Sequence, residues 1–339
     1  MTSVSVSHKT SDTSPNGLAP LTVLHAKPRG FCAGVIRAID VVERAIDIHG
    51  APVYVRHEIV HNTHVVDQLR ERGAVFVGEV DQIPLGAVTV FSAHGVSRDV
   101  EKAASARKLD VIDATCPLVS KVHHQGQRYA RLGYDVVLIG HAGHAEVEGT
   151  RGQIDGRLHV IANTKDVEKL EVQDAAKVAY ITQTTLSIQD TREVIAALKT
   201  RFPEIVGPDT RNICYATQNR QAAVQAMASE AELILVVGSA SSSNSSRLRE
   251  VGIQNGVKSH LIEGPDMIDM AWFEGVKVVG MSAGASAPEK LIQASIEYLR
   301  QFRDVSVTEL DGVDESVVFK LPPGLEHKAG LDKANAARL

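Results

Sequence analysis

The chain has 339 residues, of which 44% are hydrophobic and 23% are charged, as in folded globular proteins and unlike disordered ones. This length predicts two or three domains. A formal net charge of −5 and an aromatic content of 4% argue against a surface that binds nucleic acid. No apolar run approaches the roughly 20 residues of a membrane span, and the N-terminus lacks the apolar segment of a secretory signal. We therefore expect a cytoplasmic protein with reduced thiols that binds neither nucleic acid nor membranes.

Strands and helices alternate along the chain. Each predicted strand is a short apolar run, and a segment with a helical pattern follows it, which is typical of α/β domains with mainly parallel sheets. The first helix begins after Cys32 and carries apolar residues from Val35 to Ile46 at helical spacing. The predicted strands are residues 21–26, 52–57, 87–93, 110–114, 134–140, 177–183, 232–238 and 276–282.

The chain contains three cysteines, Cys32, Cys116 and Cys214, about one in each third of its length. An odd number cannot pair completely within one chain, and no CxxC motif is present. Each cysteine is followed at once by a predicted helix, and a helix N-terminus stabilises a thiolate. Because α/β proteins bind ligands where strands end and helices begin, three similar units can each direct one thiolate towards a shared centre. The alternative is three buried cysteines that only fill space.

Two glycines flank the first cysteine. In the stretch RGFCAGV, Cys32 lies between Gly30 and Gly34. Glycine lets the backbone turn tightly and lets another group approach it closely. The stretch therefore predicts a tight turn that holds this thiol against a neighbouring group.

Loops after several strands carry imidazole, amide and hydroxyl groups. These groups and the free N–H groups of helix N-termini suit a phosphate, although neither a Walker A nor a GxGxxG motif is present. Single members have simpler explanations: Ser286 with Glu289 indicates a capping box, and Ser187 with Asp190 a similar cap. Their convergence after strands favours an anion site. The groups are His61 and Asn62, His94 and Gly95, His141 and His144, and residues 182–185, 241–246 and 282–286.

A series of motifs resembles one enzyme family, the 4-hydroxy-3-methylbut-2-enyl diphosphate reductases (LytB/IspH family). The resemblance runs in order from about Leu21 to about Pro323. It implies reductive dehydroxylation of (E)-4-hydroxy-3-methylbut-2-enyl diphosphate to isopentenyl diphosphate and dimethylallyl diphosphate, the last step of the methylerythritol phosphate route. The motifs are PRGFCAGVIRAI, HEIVHNTHVV, FSAHGVS, DATCPLV, IGHAGHAEVEGT, TQTTLS, ICYATQNRQ, GSASSSNSSRL, SAGASAPE and VTELDGVDESVVFKLP.

The resemblance implies one 4Fe–4S cluster per chain, held by Cys32, Cys116 and Cys214. Three thiolates leave one iron with an open coordination position, which a metal needs in order to act as a Lewis acid. We expect three similar α/β lobes around this central cluster, at approximately residues 21–115, 116–212 and 213–303. A strand segment at 304–323 follows them. Residues 1–20 and 324–339 are predicted to be disordered extensions.

The resemblance also assigns substrate-binding and catalytic residues. His144 matches a substrate-contacting histidine, Glu146 the proton donor, and Thr184 the hydroxyl that links the substrate oxygen to that glutamate. We expect the nearby cluster and diphosphate to raise the pKa of Glu146, as an acid near neutral pH requires. The alternative is a solvated acid in a loop. The diphosphate-binding positions implied by the family are His61, His94, Ser242, Ser243, Asn244 and Ser286.

Two other classes of protein remain open. A zinc hydrolase or deaminase would use Cys and His ligands, but such sites usually place two ligands within a few residues of each other. A non-catalytic iron–sulfur redox sensor would not need so many groups able to hold a diphosphate. The reductase interpretation implies an external electron donor of the ferredoxin or flavodoxin type, which the sequence does not identify.

Overall fold

The structure, a computed structural model, describes residues 18–325. Twelve strands in this range form three parallel sheets with five, four and three strands. The predicted fold class, three α/β lobes with parallel sheets, is confirmed. The strands are β1 (Pro20–His25), β2 (Val53–Arg56), β3 (Ala74–Val77), β4 (Val88–Phe91), β5 (Asp110–Asp113), β6 (Asp135–Ile139), β7 (Leu158–Ile161), β8 (Val178–Thr182), β9 (Leu233–Val237), β10 (Lys258–Ile262), β11 (Val278–Ala283) and β12 (Asp304–Glu309).

Ten α-helices in the described range cover the sheets, and each packs an apolar face into one of the lobes. Among these residues no helix is both long and apolar enough to cross a membrane. The helices are α1 (Ala33–His49), α2 (Thr63–Glu71), α3 (Arg98–Ala106), α4 (Pro117–Arg131), α5 (Ala145–Gln153), α6 (Thr164–Lys169), α7 (Ile188–Arg201), α8 (Tyr215–Met227), α9 (Ser243–Gln254) and α10 (Glu289–Arg300).

The four-stranded sheet has the order β3-β2-β4-β5, and the three-stranded sheet has the order β7-β6-β8. All five residues of β6 and of β8 are buried, as expected for a parallel sheet with helices on both faces. On one face of the three-stranded sheet, Val167 of α6 packs in the same cluster as Val137 and Tyr180. On the other face, Val122 of α4 packs with Val136. The helices α4 and α6 therefore lie on opposite sides of this sheet.

The five-stranded sheet has the order β10-β9-β11-β1-β12 and joins the two ends of the described chain. Val23 of β1 pairs with Val279 of β11 on one side and with Val307 of β12 on the other. We had assigned β1 to the first lobe, together with β2. The strand pairing instead places it among the strands of the third, while the domain boundaries themselves stay predictions.

The strand segment predicted at residues 304–323 is a strand only in its first part, β12. After β12 ends at Glu309, residues 310–325 form no strand. They run over the other lobes, and Leu325, which we had placed in the disordered tail, is buried in the core of the four-stranded lobe. The rest of the two predicted extensions, residues 1–17 and 326–339, lies outside the described residues.

Candidate functional site

Each cysteine is the residue that immediately precedes a helix. Cys32 is the N-cap of α1, Cys116 that of α4 and Cys214 that of α8. Pro117 occupies the first turn of α4, where its missing N–H costs nothing. All three thiols are unpaired and line one cavity between the lobes, which we call the central cavity. The sequence prediction that three separate units direct their thiols to one place is consistent with this arrangement.

The glycines beside Cys32 have distinct roles. Gly30 has a φ of +65°, a left-handed conformation that residues with a side chain rarely adopt. At Gly34, a Cβ would lie 2.7 Å from Sγ of Cys116 and 3.8 Å from Sγ of Cys32. Any side chain at this position would therefore displace a thiol. Gly34 lets two thiols from different lobes approach the same stretch of backbone.

Burial favours the protonated form of two of the thiols, Cys116 and Cys214. It raises the pKa of Cys116 to about 12 and that of Cys214 to about 11. The backbone N–H of Thr217 donates to Sγ of Cys214 at 3.4 Å, and the Thr217 hydroxyl lies 3.2 Å from the same sulfur. These contacts favour the thiolate but do not outweigh the burial. Positive charge supplied by bound metal would complete the ionisation.

The donor set suits a polynuclear cluster better than a single ion. Within residues 18–325, no three His, Cys, Asp or Glu side chains are close enough together to hold one metal ion. A cluster with several irons is wider than one ion and is held by thiolates. Three half-buried thiols, each at a helix N-terminus and all lining one cavity, fit such a group.

Arg37 ties the first cysteine-bearing helix to the second cysteine. It lies in α1, five residues after Cys32. Its Nη1 donates to the carbonyl oxygens of Ala114 at 3.0 Å and Thr115 at 3.1 Å. These two residues immediately precede Cys116. The guanidinium therefore fixes the position of the backbone before Cys116 relative to α1, the helix that follows Cys32.

Arg220 makes the corresponding connection from the third cysteine to the first. It lies in α8, six residues after Cys214, and is completely buried. Its Nη2 donates to the carbonyl oxygen of Gly30 at 2.8 Å and to that of Phe31 at 3.4 Å, just before Cys32. The two arginines thus hold the backbone that leads into two of the three thiols.

The C-terminal segment, residues 310–325, contacts both of these arginines. The Glu315 carboxylate accepts from Nη1 of Arg220 at 3.0 Å, and the Lys320 carbonyl accepts from Nε of Arg37 at 2.7 Å. Phe319 of the same segment lines the central cavity. The segment therefore closes the site at the side of the thiols.

Three histidines gather on another wall of the central cavity. The ring centroids of His61 and His94 lie 4.2 Å apart, and those of His61 and His144 lie 5.4 Å apart. Nε2 of His61 is buried without a hydrogen-bond partner. Burial lowers the pKa of His94 well below its usual value and that of His144 to about 4, so both rings are neutral at pH 7 without a ligand. Buried rings with unused nitrogens suit an anion that supplies the missing partner.

Glu146 lies in the first turn of α5 and not in a loop. His144 is the N-cap of this helix, and its Nδ1 accepts from the backbone N–H of Glu146 at 3.1 Å. The Glu146 carboxylate accepts from the Thr184 backbone N–H at 2.7 Å and from the Thr184 hydroxyl at 2.8 Å. Only 3% of Glu146 is exposed, so the alternative of a solvated acid is wrong. Burial raises its pKa to about 7 even without the neighbouring anions that we had expected to raise it.

Hydroxyl and amide side chains from the five-stranded lobe complete the cavity wall. Ser242 is the N-cap of α9, and Ser243 is the first residue of that helix. Asn244 accepts from the backbone N–H of Ala285 at 2.9 Å, which holds two loops together. Ser286 donates to the carbonyl oxygen of His61 at 2.9 Å and so connects this lobe with the histidine loop.

One alternative from the sequence is wrong. A capping box of Ser286 with Glu289 is not formed, because α10 begins at Glu289 and its N-cap is Pro288. Ser286 points into the central cavity instead. The similar cap at Ser187 is confirmed, since its hydroxyl accepts from the backbone N–H of Asp190 at 3.2 Å.

The central cavity is lined by every residue to which the family resemblance assigns a role, but not by every member of the loops expected to bind an anion. His141, which we had grouped with the anion-binding loops, does not line it and lies 3.2 Å from Arg247 instead. Tyr215 and Thr217 line it as well; they come one and three residues after Cys214 and are therefore detectable from the sequence. Phe319 had no such signal. The predicted residues that line the cavity are Cys32, Cys116, Cys214, His61, His94, His144, Glu146, Thr184, Ser242, Ser243, Asn244 and Ser286.

The chain is similar to one group of proteins over most of its length. The family model described as LytB protein matches residues 23–300. A protein from Zymomonas mobilis subsp. mobilis named 4-hydroxy-3-methylbut-2-enyl diphosphate reductase is 57% identical over 317 residues, which cover 94% of this chain and 92% of that protein.

Two solved structures share the fold. The E-1-hydroxy-2-methyl-but-2-enyl-4-diphosphate reductase from Plasmodium falciparum matches with a TM-score of 0.86 at 35% identity, covering 94% of this chain and all of that one. A structure described as (E)-4-hydroxy-3-methyl-but-2-enyl diphosphate reductase, the terminal enzyme of the non-mevalonate pathway, matches with a TM-score of 0.60 at 31% identity. That match covers 83% of this chain and 99% of the other. Together with the family model, these likenesses show that the chain belongs to the LytB protein family.

Proposed function

We propose that this protein is a 4-hydroxy-3-methylbut-2-enyl diphosphate reductase, which removes the 4-hydroxyl group of its substrate and yields isopentenyl and dimethylallyl diphosphate. The observation that carries this proposal is the central cavity, which brings together three thiols, three histidines, a buried acid and a group of hydroxyl and amide side chains. The names of the relatives support the same reaction. Each turnover uses two electrons and two protons, and the hydroxyl oxygen leaves as water.

The cofactor that we propose is one 4Fe–4S cluster held by Cys32, Cys116 and Cys214. When bound, it supplies electrons and an iron with an open position that acts as a Lewis acid. The protein's part is to hold three thiolates in fixed relative positions. Arg37 and Arg220 do this through the backbone carbonyls that precede Cys116 and Cys32.

The diphosphate binds to the histidines and the hydroxyl-rich loop. His61 and His94 lie on one wall of the central cavity, and Ser242, Asn244 and Ser286 lie on the opposite lobe. A diphosphate would raise the pKa values of His94 and His144, which burial lowers, and draw protons onto these two rings, because its charge favours the imidazolium form. Charge-assisted hydrogen bonds then orient the hydrocarbon end towards the thiols. Ser243 and His144 also line the central cavity beside these groups.

Glu146 delivers the proton to the leaving oxygen. Hydroxide is a poor leaving group, so the C–O bond breaks only as a proton arrives. The carboxyl is held by two hydrogen bonds from Thr184, and its pKa of about 7 lets it carry a proton near neutral pH. The Thr184 hydroxyl lies between this acid and the cavity and passes the proton to the substrate oxygen.

An external protein supplies the electrons, and we propose a donor of the ferredoxin or flavodoxin type. The chain's three cysteines are all unpaired, which suits work in the reducing cytoplasm. Neither nucleic acid nor a membrane has a part in the reaction.

The decisive experiment is anaerobic purification, iron and sulfide analysis, and an assay with reduced methyl viologen and the diphosphate substrate. We expect a brown protein with about four irons and four sulfides per chain that forms both products. A colourless zinc protein would contradict the proposal and favour a hydrolase. A brown protein that neither binds nor converts the diphosphate would favour a redox sensor.

A further inference from the structure

A groove on the outer face of α4 carries cations that the proposed reaction does not use. Lys121 and Arg128 are these cations; they lie at helical spacing on this helix with His124 between them, and all three residues are exposed. Arg211, from the loop before α8, lines the groove opposite them. No carboxylate lines it. On a chain with a net charge of −5, this positive surface is a local exception.

The cations are free to meet a partner. In the described part of the chain, neither Lys121, Arg128 nor Arg211 has a carboxylate within ion-pair distance, although many surface arginines do. Arg211 donates only to the Pro208 carbonyl, at 2.9 Å. The nearest acid along the chain, Asp209, pairs with Lys199 at 2.9 Å, and the charge of Arg211 acts on it only as a smaller contribution that lowers its pKa.

The groove lies against two of the three segments that carry thiols. Lys121 is five residues after Cys116 on the same helix, a rise of about 7.5 Å along the helix axis. Arg211 precedes Cys214 by three residues. The two segments are joined in the groove itself, where Nδ2 of Asn212 donates to Oε1 of Gln125 at 2.9 Å.

The groove and the substrate site are separate. No residue that lines the groove also lines the central cavity, although both contact α4. A protein seated in the groove would therefore leave the diphosphate site accessible. This arrangement suits a reductase that takes two electrons per turnover, because two one-electron carriers can visit in turn while the substrate stays bound.

We infer that this groove, lined by Lys121, His124, Arg128 and Arg211, is the docking site of an acidic, one-electron carrier protein. The inference rests on the proposed function. Charge complementarity steers such a partner to this face against the repulsion of the chain's net negative charge. Each reduced carrier gives one electron to the cluster site and leaves oxidised, so two carriers are consumed for each hydroxyl group released as water.

The test compares a protein donor with a small one. We would change Lys121→Glu together with Arg128→Glu, and separately Arg211→Glu, which acts from the other wall. The matched control is Lys165→Glu with Lys169→Glu on α6, exposed cations on the opposite side of the same sheet that make the same change in net charge. Donors would be reduced plant-type ferredoxin and reduced methyl viologen.

We expect the groove variants to lose about tenfold or more in kcat/KM for ferredoxin at low salt. As the salt concentration rises, kcat/KM of the wild type should fall towards that of the variants, because salt screens the attraction. Rates with methyl viologen and with the control variant should stay at the wild-type level. Calorimetric titration with oxidised ferredoxin should show weaker binding to the groove variants alone. If the Lys121/Arg128 double variant does not fold, the same rates measured with Arg211→Glu test the docking site.

Other results would overturn the inference. The inference is wrong if the groove variants keep ferredoxin rates within twofold of wild type, or if they lose activity equally with ferredoxin and methyl viologen. It is also wrong if the wild type accepts electrons from methyl viologen but not from ferredoxin. Absence of turnover with methyl viologen in the wild type would instead contradict the proposed function. The failure of the docking site and the failure of the reaction are thus distinguishable.

Discussion

Arg220 and Glu315 form an ion pair inside the protein. The guanidinium has no exposed surface, and 13% of the carboxylate is exposed. The pair joins α8, which follows Cys214, to the C-terminal segment. The same guanidinium holds the carbonyl oxygens of Gly30 and Phe31. A residue near the end of the chain thus neutralises the group that positions its first cysteine.

Removing Glu315 should therefore be costly. Glu315→Ala leaves a buried guanidinium unpaired, and breaking one side of a buried pair typically costs about 3–5 kcal/mol. The neighbouring change Asp314→Ala is the control, because it removes an exposed pair with Lys27, and exposed pairs contribute little to stability. Urea denaturation of both variants measures the difference. Equal stabilities would show that Arg220 does not depend on this carboxylate.

Glu146→Gln should lose at least about a hundredfold in turnover, since general acid catalysis typically contributes 10²–10⁴-fold. Glutamine keeps the size and its oxygen can still accept one of the two hydrogen bonds from Thr184, but it cannot deliver a proton. Iron content and substrate binding should survive, and steady-state rates with methyl viologen measure the loss. Turnover within a few-fold of wild type would mean that another group protonates the leaving oxygen.

The pH dependence of kcat/KM should follow the ionisation of the Glu146 carboxyl group. Its pKa is raised by burial to about 7, so it is protonated at pH 6 and ionised at pH 8. We expect kcat/KM to fall as the pH rises through about 7, because only the protonated acid can act. The folded protein also holds this proton more tightly than the unfolded chain, so this group's contribution to stability declines between about pH 4.5 and 7. A rate profile that is flat from pH 6 to 8 would exclude Glu146 as the acid.

His61→Ala and His94→Ala should weaken substrate binding and leave the iron content intact. Hydrogen bonds to charged groups typically contribute ~1.5–3 kcal/mol, so each change should reduce affinity roughly ten- to hundredfold. The exposed His49, at the end of α1, offers a control that should behave as wild type. Calorimetric titration with the diphosphate substrate provides the measurement. Wild-type affinity in either variant would mean that the anion binds elsewhere.

The number of cysteine ligands predicts a spectroscopic difference. With three thiolates for four irons, one iron should have its own Mössbauer signal, and the substrate should perturb that signal alone. Four equivalent irons, or a change spread over all of them, would contradict a three-cysteine site.

Much of the fold and of the site could be predicted from the sequence. Buried parallel strands such as β6 and β9 are continuous apolar runs, which are easily detected. The strands we did not identify, β3, β7 and β10, are all edge strands of their sheets. β7 and β10 include polar residues, which weaken their hydrophobic signal, whereas β3 is an apolar run of only four residues.

Long-range relationships left no trace in the sequence pattern. Cys32 and Cys116 were recognisable from the helices that follow them, but nothing local indicated that Gly34 contacts the second thiol. Glu146 resembled a surface acid because its burial depends on Thr184, which lies on another strand end. The Arg220–Glu315 pair joins residues almost a hundred positions apart, and only packing brings them together.

The position of β1 between β11 and β12 has a consequence for how the protein is made. The first strand leaves the ribosome long before either of its partners exists, and at 5–20 residues per second the wait is roughly fifteen to sixty seconds. During this time both edges of an apolar strand are unpaired, which invites aggregation and calls for chaperone protection. The loop that carries Cys32 follows β1 directly, so the first thiol reaches its place only after the last strand has been synthesised. Metal loading at the three cysteines must then be a late event in the life of the chain.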